Sequence, residues 1–335
     1  MVTVVDVNDE ENMRIEFLQA GTGDSIWISH NKKNIVIDGG KTTSAIIARY
    51  GQMAKDENID LLVVTHIDTD HIAGIIALME HIKIHGETGR LKQVWFNYPK
   101  KEDDGEYSVN EGNQLSGMLC KIEGLNWCNN TSELIGKVTA IGDLKLHVLA
   151  PDHDVADEYK PKEADELGAR NADWNVDLEA LIDHMNDDDI DEGGPNSQSI
   201  VILLECNDKR ALLPGDCTPK ELYEALRDYK RRNEQPLSLE LMKLSHHGSL
   251  RNITKEIMEE VVCSEFVIST NVNKRYCFPH KETIAKLVYY RNKSEEQVNV
   301  HFNYQESVEV LGVTDAEKRK YNGAPDKPCG GLCRC

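Results

Sequence analysis

The sequence predicts an α/β fold in which strands and helices alternate in two successive halves. An apolar run at 59–64 is followed by a helical segment at 72–79, and the same succession of strand and helix recurs from residue 199 onward. Polar residues able to bind metal follow the ends of several of these strands. Because α/β layers place their chemistry at the carboxyl ends of strands, we expect a functional site there.

The first half contains a predicted hairpin followed by alternating helices and strands. Its turn is His30-Asn31-Lys32-Lys33, and Gly39 and Gly40 follow the second hairpin strand. The predicted strands are 14–19, 25–29, 34–38, 59–65 and 93–98, and the predicted helices are 43–54 and 72–84.

The second half repeats the pattern after a looser stretch that begins at residue 99. Between 99 and 195 the patterns predict a helix at 110–122, a hairpin of 137–141 and 144–149, and an amphipathic helix at 174–185. Beyond it the predicted strands are 199–205, 210–216, 239–244, 266–269, 298–304 and 307–311, and the predicted helices are 218–231, 253–262 and 281–291.

Charge and composition divide the chain into one main domain, an insertion and a tail. We assign residues 1–315 to the domain, 101–194 within it to a variable acidic insertion, and 316–335 to a tail containing three cysteines. The formal net charge is −20, and 151–194 alone holds 16 acidic and 3 basic residues. This acidity argues against a protein that coats nucleic acid or anionic membranes. It leaves room for a protein partner at the insertion.

The sequence favours a cytoplasmic protein with reduced cysteines. The N-terminal residues lack the basic and apolar regions of a secretory signal, and no apolar run approaches the roughly 20 residues that span a bilayer. The nine cysteines are odd in number and have no disulfide-framework spacing. We therefore predict neither membrane insertion nor disulfide bonds.

The stretch Thr65-His66-Ile67-Asp68-Thr69-Asp70-His71 carries the strongest functional signal. Two imidazoles and two carboxylates lie on one short connection between a predicted strand and a predicted helix. At that density these groups would repel one another unless a cation lay between them. The stretch therefore predicts a metal site.

Residues after later strands supply the remaining ligands for a pair of ions. A metal pair needs about three or four ligands per ion and a carboxylate that bridges them. His66 and Asp68 suit one ion, and Asp70 and His71 suit the second. Asp216 follows a glycine at a strand end and suits the bridge, and one of His246 and His247, for which we favour His247, completes the second ion.

These motifs resemble those of the metallo-β-lactamase superfamily. The residues that carry the resemblance are Asp38-Gly39-Gly40, the 65–71 stretch, Pro214-Gly215-Asp216 and Ser245-His-His-Gly-Ser249. Phe17 to Ser25, Asn196-Ser-Gln-Ser199 and the His-His pair most resemble the hydrolase domain of the bacterial DNA-uptake competence protein and its stand-alone relatives. The resemblance implies an αββα sandwich and a metal-dependent hydrolase.

Two departures from the superfamily pattern affect the first ion. Asp68 stands where the superfamily usually has a second histidine, and the usual histidine of the third motif is absent, with Asn196 nearest its place. More oxygen ligands weaken the preference for Zn²⁺ and favour Mn²⁺ or Mg²⁺. We therefore expect two divalent ions, Zn or Mn, with one site weakly occupied. His153 is an alternative ligand.

The resemblance also implies roles for residues around the ions. Asp38 is expected to orient a ligand imidazole, Asp70 to act at the metals, and His280, in Phe278-Pro279-His280, to contact substrate or donate a proton to the leaving oxygen. Residues that follow strands or belong to the motifs are candidates for substrate binding. They are Asn196, Ser199, His246 and Asn271.

The predicted function is metal-dependent hydrolysis of a phosphodiester by a metal-bound hydroxide. The enzyme would be a nuclease or a nucleotide phosphodiesterase, and the resemblance includes relatives in bacterial defence or stress systems. The net charge favours a small anionic substrate or one delivered by a partner. Two alternatives stay open: a hydrolase of a non-nucleic ester, thioester or lactam, and a catalytically quiet subunit that binds a partner.

Overall fold

The strands form two large sheets. The structure is a computed structural model that describes residues 3–6, 13–100, 111–155, 172–292, 298–322 and 333–334. The strands of the first sheet are β1 (Thr3–Asp6), β2 (Arg14–Phe17), β3 (Ile26–His30), β4 (Lys33–Ile37), β5 (Leu61–Val64), β6 (Gln93–Phe96) and β7 (Asn126–Cys128). They lie in chain order across the sheet. Strands β1 to β4 are antiparallel, and β4 to β7 are parallel.

The second sheet is mixed and is built from the second half of the chain. The later strands are β8 (Thr139–Ile141), β9 (Leu144–Ala150), β10 (Val201–Cys206), β11 (Lys209–Leu213), β12 (Leu237–Ser238), β13 (Leu241–Lys243), β14 (Val261–Val262), β15 (Glu265–Ile268), β16 (Asn299–Phe302) and β17 (Cys333–Arg334). The sheet order is β17-β16-β15-β13-β11-β10-β9-β8, and β12 pairs separately with β14. Strands β11, β13, β15 and β16 run parallel, so their carboxyl ends lie at one edge.

Helices cover the outer faces of both sheets. They are α1 (Ser44–Gly51), α2 (Thr69–Ile84), α3 (Glu111–Cys120), α4 (Leu178–His184), α5 (Pro219–Asn233), α6 (Lys255–Glu260), α7 (Lys281–Asn292), α8 (Gln305–Leu311) and α9 (Asp315–Asn322). Thr254 caps α6 by accepting a hydrogen bond from the Ile257 backbone N–H. The predicted helices at 43–54, 72–84, 110–122, 174–185, 218–231, 253–262 and 281–291 all correspond to observed helices.

Three apolar clusters show that the domain has four layers. One cluster joins the facing sides of the two sheets, with Ile28 and Val63 from the first and Leu146 and Ile202 from the second. A second packs the outer side of the first sheet against α1, α2 and α3. The third packs the outer side of the second sheet against α4 to α7. This is the predicted αββα sandwich.

The structure corrects the sequence prediction at one element. Residues 307–311, predicted as a strand, lie in helix α8, which ends at Leu311 with Gly312 in the left-handed conformation at φ 55°. Ser307 and Leu311 are buried in α8 while Glu306 and Glu309 are exposed. Buried positions four residues apart fit a helix face, which a five-residue window could not distinguish from strand alternation.

The predicted insertion and tail contain ordered elements. Strands β7, β8 and β9 lie within 101–194. In the second sheet β9 pairs with β10, and β8 forms the edge beside β9. The most acidic stretch is only partly described, since residues 156–171 lie outside the described ranges. Residues 315–322, most of which we assigned to the tail, form α9, and its Glu317 accepts a hydrogen bond from the Leu178 backbone. Of the tail cysteines, Cys329 and Cys335 also lie outside the described ranges.

Within the described residues, no helix is both long and apolar enough to cross a membrane.

Candidate metal centre

The predicted ligands meet at the edge where strands of both sheets end. Asp38 follows β4 in the first sheet. His66 and Asp68 lie in the connection from β5 to α2, and Asp70 and His71 lie in the first turn of α2. Asp216 follows β11, and His246 and His247 follow β13 in the second. The Ile200 N–H donates to the Thr65 carbonyl across the sheets at 3.1 Å. The site therefore lies where the two halves of the sandwich meet.

Three ligand atoms form a compact triangle at the centre of the site. The Oδ2 atom of Asp216 lies 3.2 Å from His71 Nε2 and 3.1 Å from His247 Nε2. The two Nε2 atoms are 3.3 Å apart. A tetrahedral Zn²⁺ with bonds of roughly 2.0–2.1 Å has ligand atoms about 3.3 Å apart. The triangle therefore fits a divalent ion, and Asp70 Oδ2, 3.6 Å from His247 Nε2, lies beside it.

Asp38 orients His71 toward this triangle. Its Oδ2 accepts a hydrogen bond from His71 Nδ1 at 2.8 Å and another from the Thr65 hydroxyl at 2.6 Å. Its Oδ1 accepts from the Thr65 backbone N–H at 2.8 Å. Asp38 is fully buried and has φ 56°, a left-handed conformation that aspartate tolerates. Because Nδ1 carries the proton, the Nε2 lone pair of His71 faces the site.

His66 has the same orientation through a different acceptor. Its Nδ1 lies 3.0 Å from Thr65 Oγ1, which donates its own proton to Asp38 and therefore accepts from the imidazole. The Nε2 atom of His66 is buried and has no hydrogen-bond partner in the described part of the chain. It lies 3.8 Å from Asp68 Oδ2. A buried nitrogen without a hydrogen-bond partner, beside a carboxylate, is typical of a pair of metal ligands.

Close backbone approach between two glycines holds the Asp38 loop against α2. A Cβ atom on Gly74 would lie 1.9 Å from the Gly39 carbonyl oxygen. The Gly39 N–H donates to the His71 carbonyl at 2.8 Å, and the Gly74 N–H donates to the Gly40 carbonyl at 2.9 Å. Only glycine permits this distance, and the contact brings Asp38 within hydrogen-bonding range of His71.

A left-handed turn directs two neighbouring imidazoles into the site. His246 and His247 have φ of 49° and 58°, which is uncommon for residues with a Cβ atom. His247 Nδ1 donates to the Ser269 carbonyl at 3.0 Å, which leaves Nε2 facing Asp216. His246 Nε2 also faces Asp216 Oδ2, at 3.9 Å, and its Nδ1 lies 3.1 Å from Asp191 Oδ2.

A buried ion pair lies directly behind His247. The ammonium of Lys243 is 2.5 Å from Asp24 Oδ2 and 3.7 Å from Asp216 Oδ1, and it donates to the Gly215 carbonyl at 2.8 Å. Asp24 also lies within 4.8 Å of the three triangle atoms as a fourth ligand-type group. We place it outside the coordination sphere because it approaches His247 at Nδ1, 3.6 Å away, and is already paired with Lys243.

Burial and neighbouring charges shift the pKa values of the buried groups in different directions. Burial and the neighbouring His71 lower the pKa of His66 to about 3, so His66 is neutral. Burial also disfavours charge on His247, but Asp216 and Asp24 outweigh it and raise its pKa to about 10. Burial alone would raise the pKa of Asp216, but the imidazoles of His247, His71 and His246 hold it well below its usual range. The centre therefore carries carboxylates whose charge a cation would neutralise.

The predicted substrate residues are spread over the rim of the site. Asn196 is nearly buried, and its side-chain amide lies 3.1 Å from Asp191 and 3.3 Å from His246. The buried Ser199 lies at the end of the same short 3-10 helix, Gly194–Gln198. Asn271 donates its backbone N–H to the Gly21 carbonyl. These positions agree with a rim, while their contact with substrate stays a prediction.

Two other histidines lie away from the central triangle. His280 Nδ1 accepts a hydrogen bond from the Leu250 N–H, and its ring packs edge-to-face on Phe278, which also contacts His246. His153, the alternative ligand, lies beside Asp152 and lines a surface cavity of about 490 Å³ next to α5.

Sequence reasoning missed Asp24, Lys243 and Asp191. Asp24 lies in the Phe17 to Ser25 stretch and Asp191 in the acidic insertion, and the sequence patterns gave neither residue a role in the site. Lys243 could have been found from the sequence, since it is a lysine inside an otherwise apolar strand three residues before the His-His pair. A lysine at such a position is rarely buried without a carboxylate partner.

Comparison with known proteins identifies the family. A family model described as the metallo-beta-lactamase superfamily matches residues 18–256, more than half of the chain. The chain belongs to this superfamily of metal-dependent hydrolases, and its buried aspartate and histidine cluster has the composition of a divalent-metal site.

The matched relatives agree with the predicted resemblance. ComE operon protein 3 of Bacillus subtilis (strain 168) is 20% identical over 321 residues, which are 89% of this chain and 34% of that protein. The chain thus spans about a third of the length of this relative. The resemblance to competence-type proteins is confirmed.

Solved structures with similarity to this chain include one bacterial protein and one archaeal protein. The metallo-beta-lactamase fold protein YhfI from Bacillus subtilis matches with a TM-score of 0.42 and 9% identity, covering 83% of this chain and 88% of that one. Igni18, a metallo hydrolase from Ignicoccus hospitalis, matches with a TM-score of 0.40 and 12% identity, covering 86% and 95%. The family assignment rests on the family model.

Proposed function

We propose that this hydrolase cleaves phosphodiester bonds, as a nuclease or nucleotide phosphodiesterase, with two divalent ions, Zn or Mn. The observation that carries the proposal is the carboxylate-rich ligand set in which Asp68, Asp70 and Asp216 approach the imidazoles at one strand edge. Paired divalent ions supply Lewis acidity that activates water and neutralises phosphoryl oxygens. Oxygen ligands favour the harder ions used in phosphoryl transfer.

The contacts of Asp216 support its proposed role as the bridging carboxylate. One of its oxygens, Oδ2, faces His71 and His247 at 3.1–3.2 Å and His246 at 3.9 Å. Its other oxygen, Oδ1, lies 3.7 Å from the Lys243 ammonium. Lys243 therefore restrains Oδ1, and Oδ2 stays directed at the imidazoles. This is the role for which the sequence selected Asp216.

A short series of aromatic rings beside the site fits a nucleotide substrate. Phe278 contacts the His246 ring with centroids 5.4 Å apart, Tyr276 contacts Phe278 at 6.0 Å, and the guanidinium of Arg275 lies 5.2 Å from the Tyr276 ring. Tyr276 is 40% exposed. An exposed ring next to a cation can stack a base, which contributes about 1–3 kcal/mol per base.

His280 can supply the proton for the leaving oxygen. Because His280 Nδ1 accepts from the Leu250 N–H, its neutral form carries the proton on Nε2. That nitrogen is a donor, as a general acid or a phosphate-binding group requires. His280 packs against the same Phe278 ring that contacts His246. We propose His280 as the residue that donates to the departing oxygen.

The rest of the prediction extends this proposal. The substrate would be a small anionic phosphodiester or one delivered by a protein partner at the acidic insertion. The cytoplasm remains the predicted location. A role in a bacterial defence or stress system also stays part of the proposal.

A panel of substrates tests the substrate class. We expect metal-loaded protein to cleave bis-p-nitrophenyl phosphate and single-stranded DNA, and to leave a lactam and a thioester intact. Asp70→Asn should abolish cleavage, while Asp188→Asn, at an exposed acid, should not. Cleavage of the lactam or thioester alone would contradict the proposal.

The aromatic series is tested by the size of the substrate. Tyr276→Ala should raise KM for single-stranded DNA by about tenfold, which corresponds to about 1.4 kcal/mol of stacking. It should leave KM for bis-p-nitrophenyl phosphate unchanged, because that substrate has no base. Tyr276→Phe is the matched control and should behave like the wild type.

A further inference from the structure

The first metal site lacks the histidine that the superfamily's third motif usually supplies. Asn196 lies nearest the position of the missing third-motif histidine. In the structure its amide is directed to Asp191 and His246. The first site would then have His66, Asp68 and the bridging Asp216, with the ligand from the third motif unaccounted for.

We propose that His246 supplies the missing imidazole of the first metal site, and that Asp191 from the acidic insertion is the positioning residue that holds it there. This inference rests on the metal-dependent hydrolysis proposed above and names the ligand set of that site.

His246 has the same orientation as the other three histidines of the centre. Each of these rings has Nδ1 at an acceptor: Thr65 for His66, Asp38 for His71, Ser269 for His247 and Asp191 for His246. Each therefore directs Nε2 away from its acceptor, and the Nε2 atoms of His71, His246 and His247 all lie 3.1–3.9 Å from Asp216 Oδ2. A carboxylate on the outer nitrogen is the usual partner of a ligand histidine.

Asp191 is itself fixed by several contacts. Its Oδ2 accepts hydrogen bonds from the side-chain amides of Asn196 at 3.1 Å and Asn252 at 3.2 Å, and its N–H donates to the Arg251 carbonyl at 3.1 Å. His246 Nδ1 donates to this carboxylate, so the 3.3 Å approach of Asn196 Nδ2 to the same nitrogen is a contact only. Asp191 is 9% exposed, unlike the neighbouring Asp188.

The backbone conformation points to the same role. Two consecutive histidines in the left-handed region hold a strained backbone, and such strain concentrates at functional sites. The conformation lets neighbouring residues present both rings to one carboxylate oxygen. An ordinary strand would direct consecutive side chains to opposite faces. His247 then serves the second ion and His246 the first.

Metal stoichiometry tests the assignment directly. After equilibrium dialysis against Mn²⁺, we expect the wild-type protein to hold two ions and His246→Ala to hold one. The exchange-coupled Mn²⁺ EPR signal should be replaced by that of an isolated ion. Asp191→Asn should weaken the second equivalent by about 10–100-fold and leave the tighter one unchanged. His153→Ala and Asp188→Asn are controls that should match the wild type.

A rescue experiment separates loss of a ligand from loss of structure. His246→Gly adopts the left-handed conformation without strain, and added imidazole should restore the second Mn²⁺ equivalent and the coupled signal. Circular dichroism should show the same melting curve for the metal-free variant and wild type within a few degrees. Two ions bound with wild-type affinity in His246→Ala, or a lost ion in His153→Ala, would overturn the assignment.

The same data distinguish this inference from the proposed function. Two ions in the wild type and one in His246→Ala, with no phosphodiester cleaved, would support the ligand assignment and contradict the substrate class. A wild-type protein that binds no ion would contradict both.

Discussion

The carboxylate of Asp24 and the ammonium of Lys243 are 2.5 Å apart and almost completely buried beneath the metal centre. Burial alone would raise the pKa of Asp24, but Lys243 and His247 lower it to about 2, so the pair is ionised. Removing one partner of such a pair leaves an uncompensated buried charge. We expect Lys243→Met to lower the free energy of unfolding by about 3–5 kcal/mol, measured by urea denaturation.

The second partner provides the control for this prediction. Asp24→Asn combined with Lys243→Met removes both charges, so the double variant should be more stable than Lys243→Met alone. Lys145→Met breaks an exposed pair with Glu205, whose atoms are 3.1 Å apart, and should cost less than about 1 kcal/mol. Equal losses in the free energy of unfolding for Lys243→Met and Lys145→Met would show that the buried pair stabilises the fold no more than the exposed pair does.

Asp38→Asn tests the orientation of His71. Asparagine keeps the size of the side chain and tolerates the left-handed backbone, but it removes the charge that holds the His71 Nδ1 proton. We expect metal affinity at the tighter site to fall by about 10–100-fold, measured by competition with a chelator. Asp60→Asn, at a carboxylate that bonds Asn34 and Lys33 elsewhere in the same sheet, should not change the affinity.

Gly74→Ala tests the close approach between the Asp38 loop and α2. The new Cβ would lie 1.9 Å from the Gly39 carbonyl oxygen, so the loop and helix must separate. We expect a loss of about 1–3 kcal/mol in unfolding free energy, together with weaker metal binding because Asp38 moves from His71. Gly51→Ala, in α1 with open space around it, is the matched control and should be neutral or slightly stabilising.

Metal loading should stabilise the fold through mass action. An ion that binds the folded state alone adds about 2.7 kcal/mol when its concentration is 100 times its dissociation constant. We expect the melting temperature to rise by several degrees on addition of Mn²⁺ or Zn²⁺ and to return after chelation. Asp216→Asn should abolish most of this rise because Asp216 contacts the imidazoles of both sites. An unchanged melting temperature in the wild type would argue against tight binding.

Much of the fold could be predicted because its elements have strong local patterns. The strand predicted at 59–65 has a continuously apolar and fully buried centre at Leu61–Val64, and periodic patterns predict α1 to α7. The short segment 307–311 could not be assigned, because five residues do not separate a strand period from a helix period. Its helical state depends on packing with β16, which no local pattern reveals.

The motifs located the candidate ligands, while their supporting residues depend on tertiary contacts. His66 to His71, Asp216 and His247 follow strands, so strand ends alone brought them together. Asp24 reaches Lys243 across a sequence separation of more than 200 residues, and Asp191 reaches His246 from the insertion. No local sequence pattern predicts contacts between residues so far apart in the chain. The direction of the His246 ring follows from backbone angles that a sequence pattern does not specify.

The position of the centre between the two sheets has a consequence for unfolding. His71 and His247, whose Nε2 atoms are 3.3 Å apart, are separated by 176 residues along the chain. An ion held by both acts as a cross-link that closes this long loop, and cross-links of long loops restrict the unfolded chain most. Neither half of the sandwich can then open while the other keeps its metal, so loaded protein should unfold in one cooperative step.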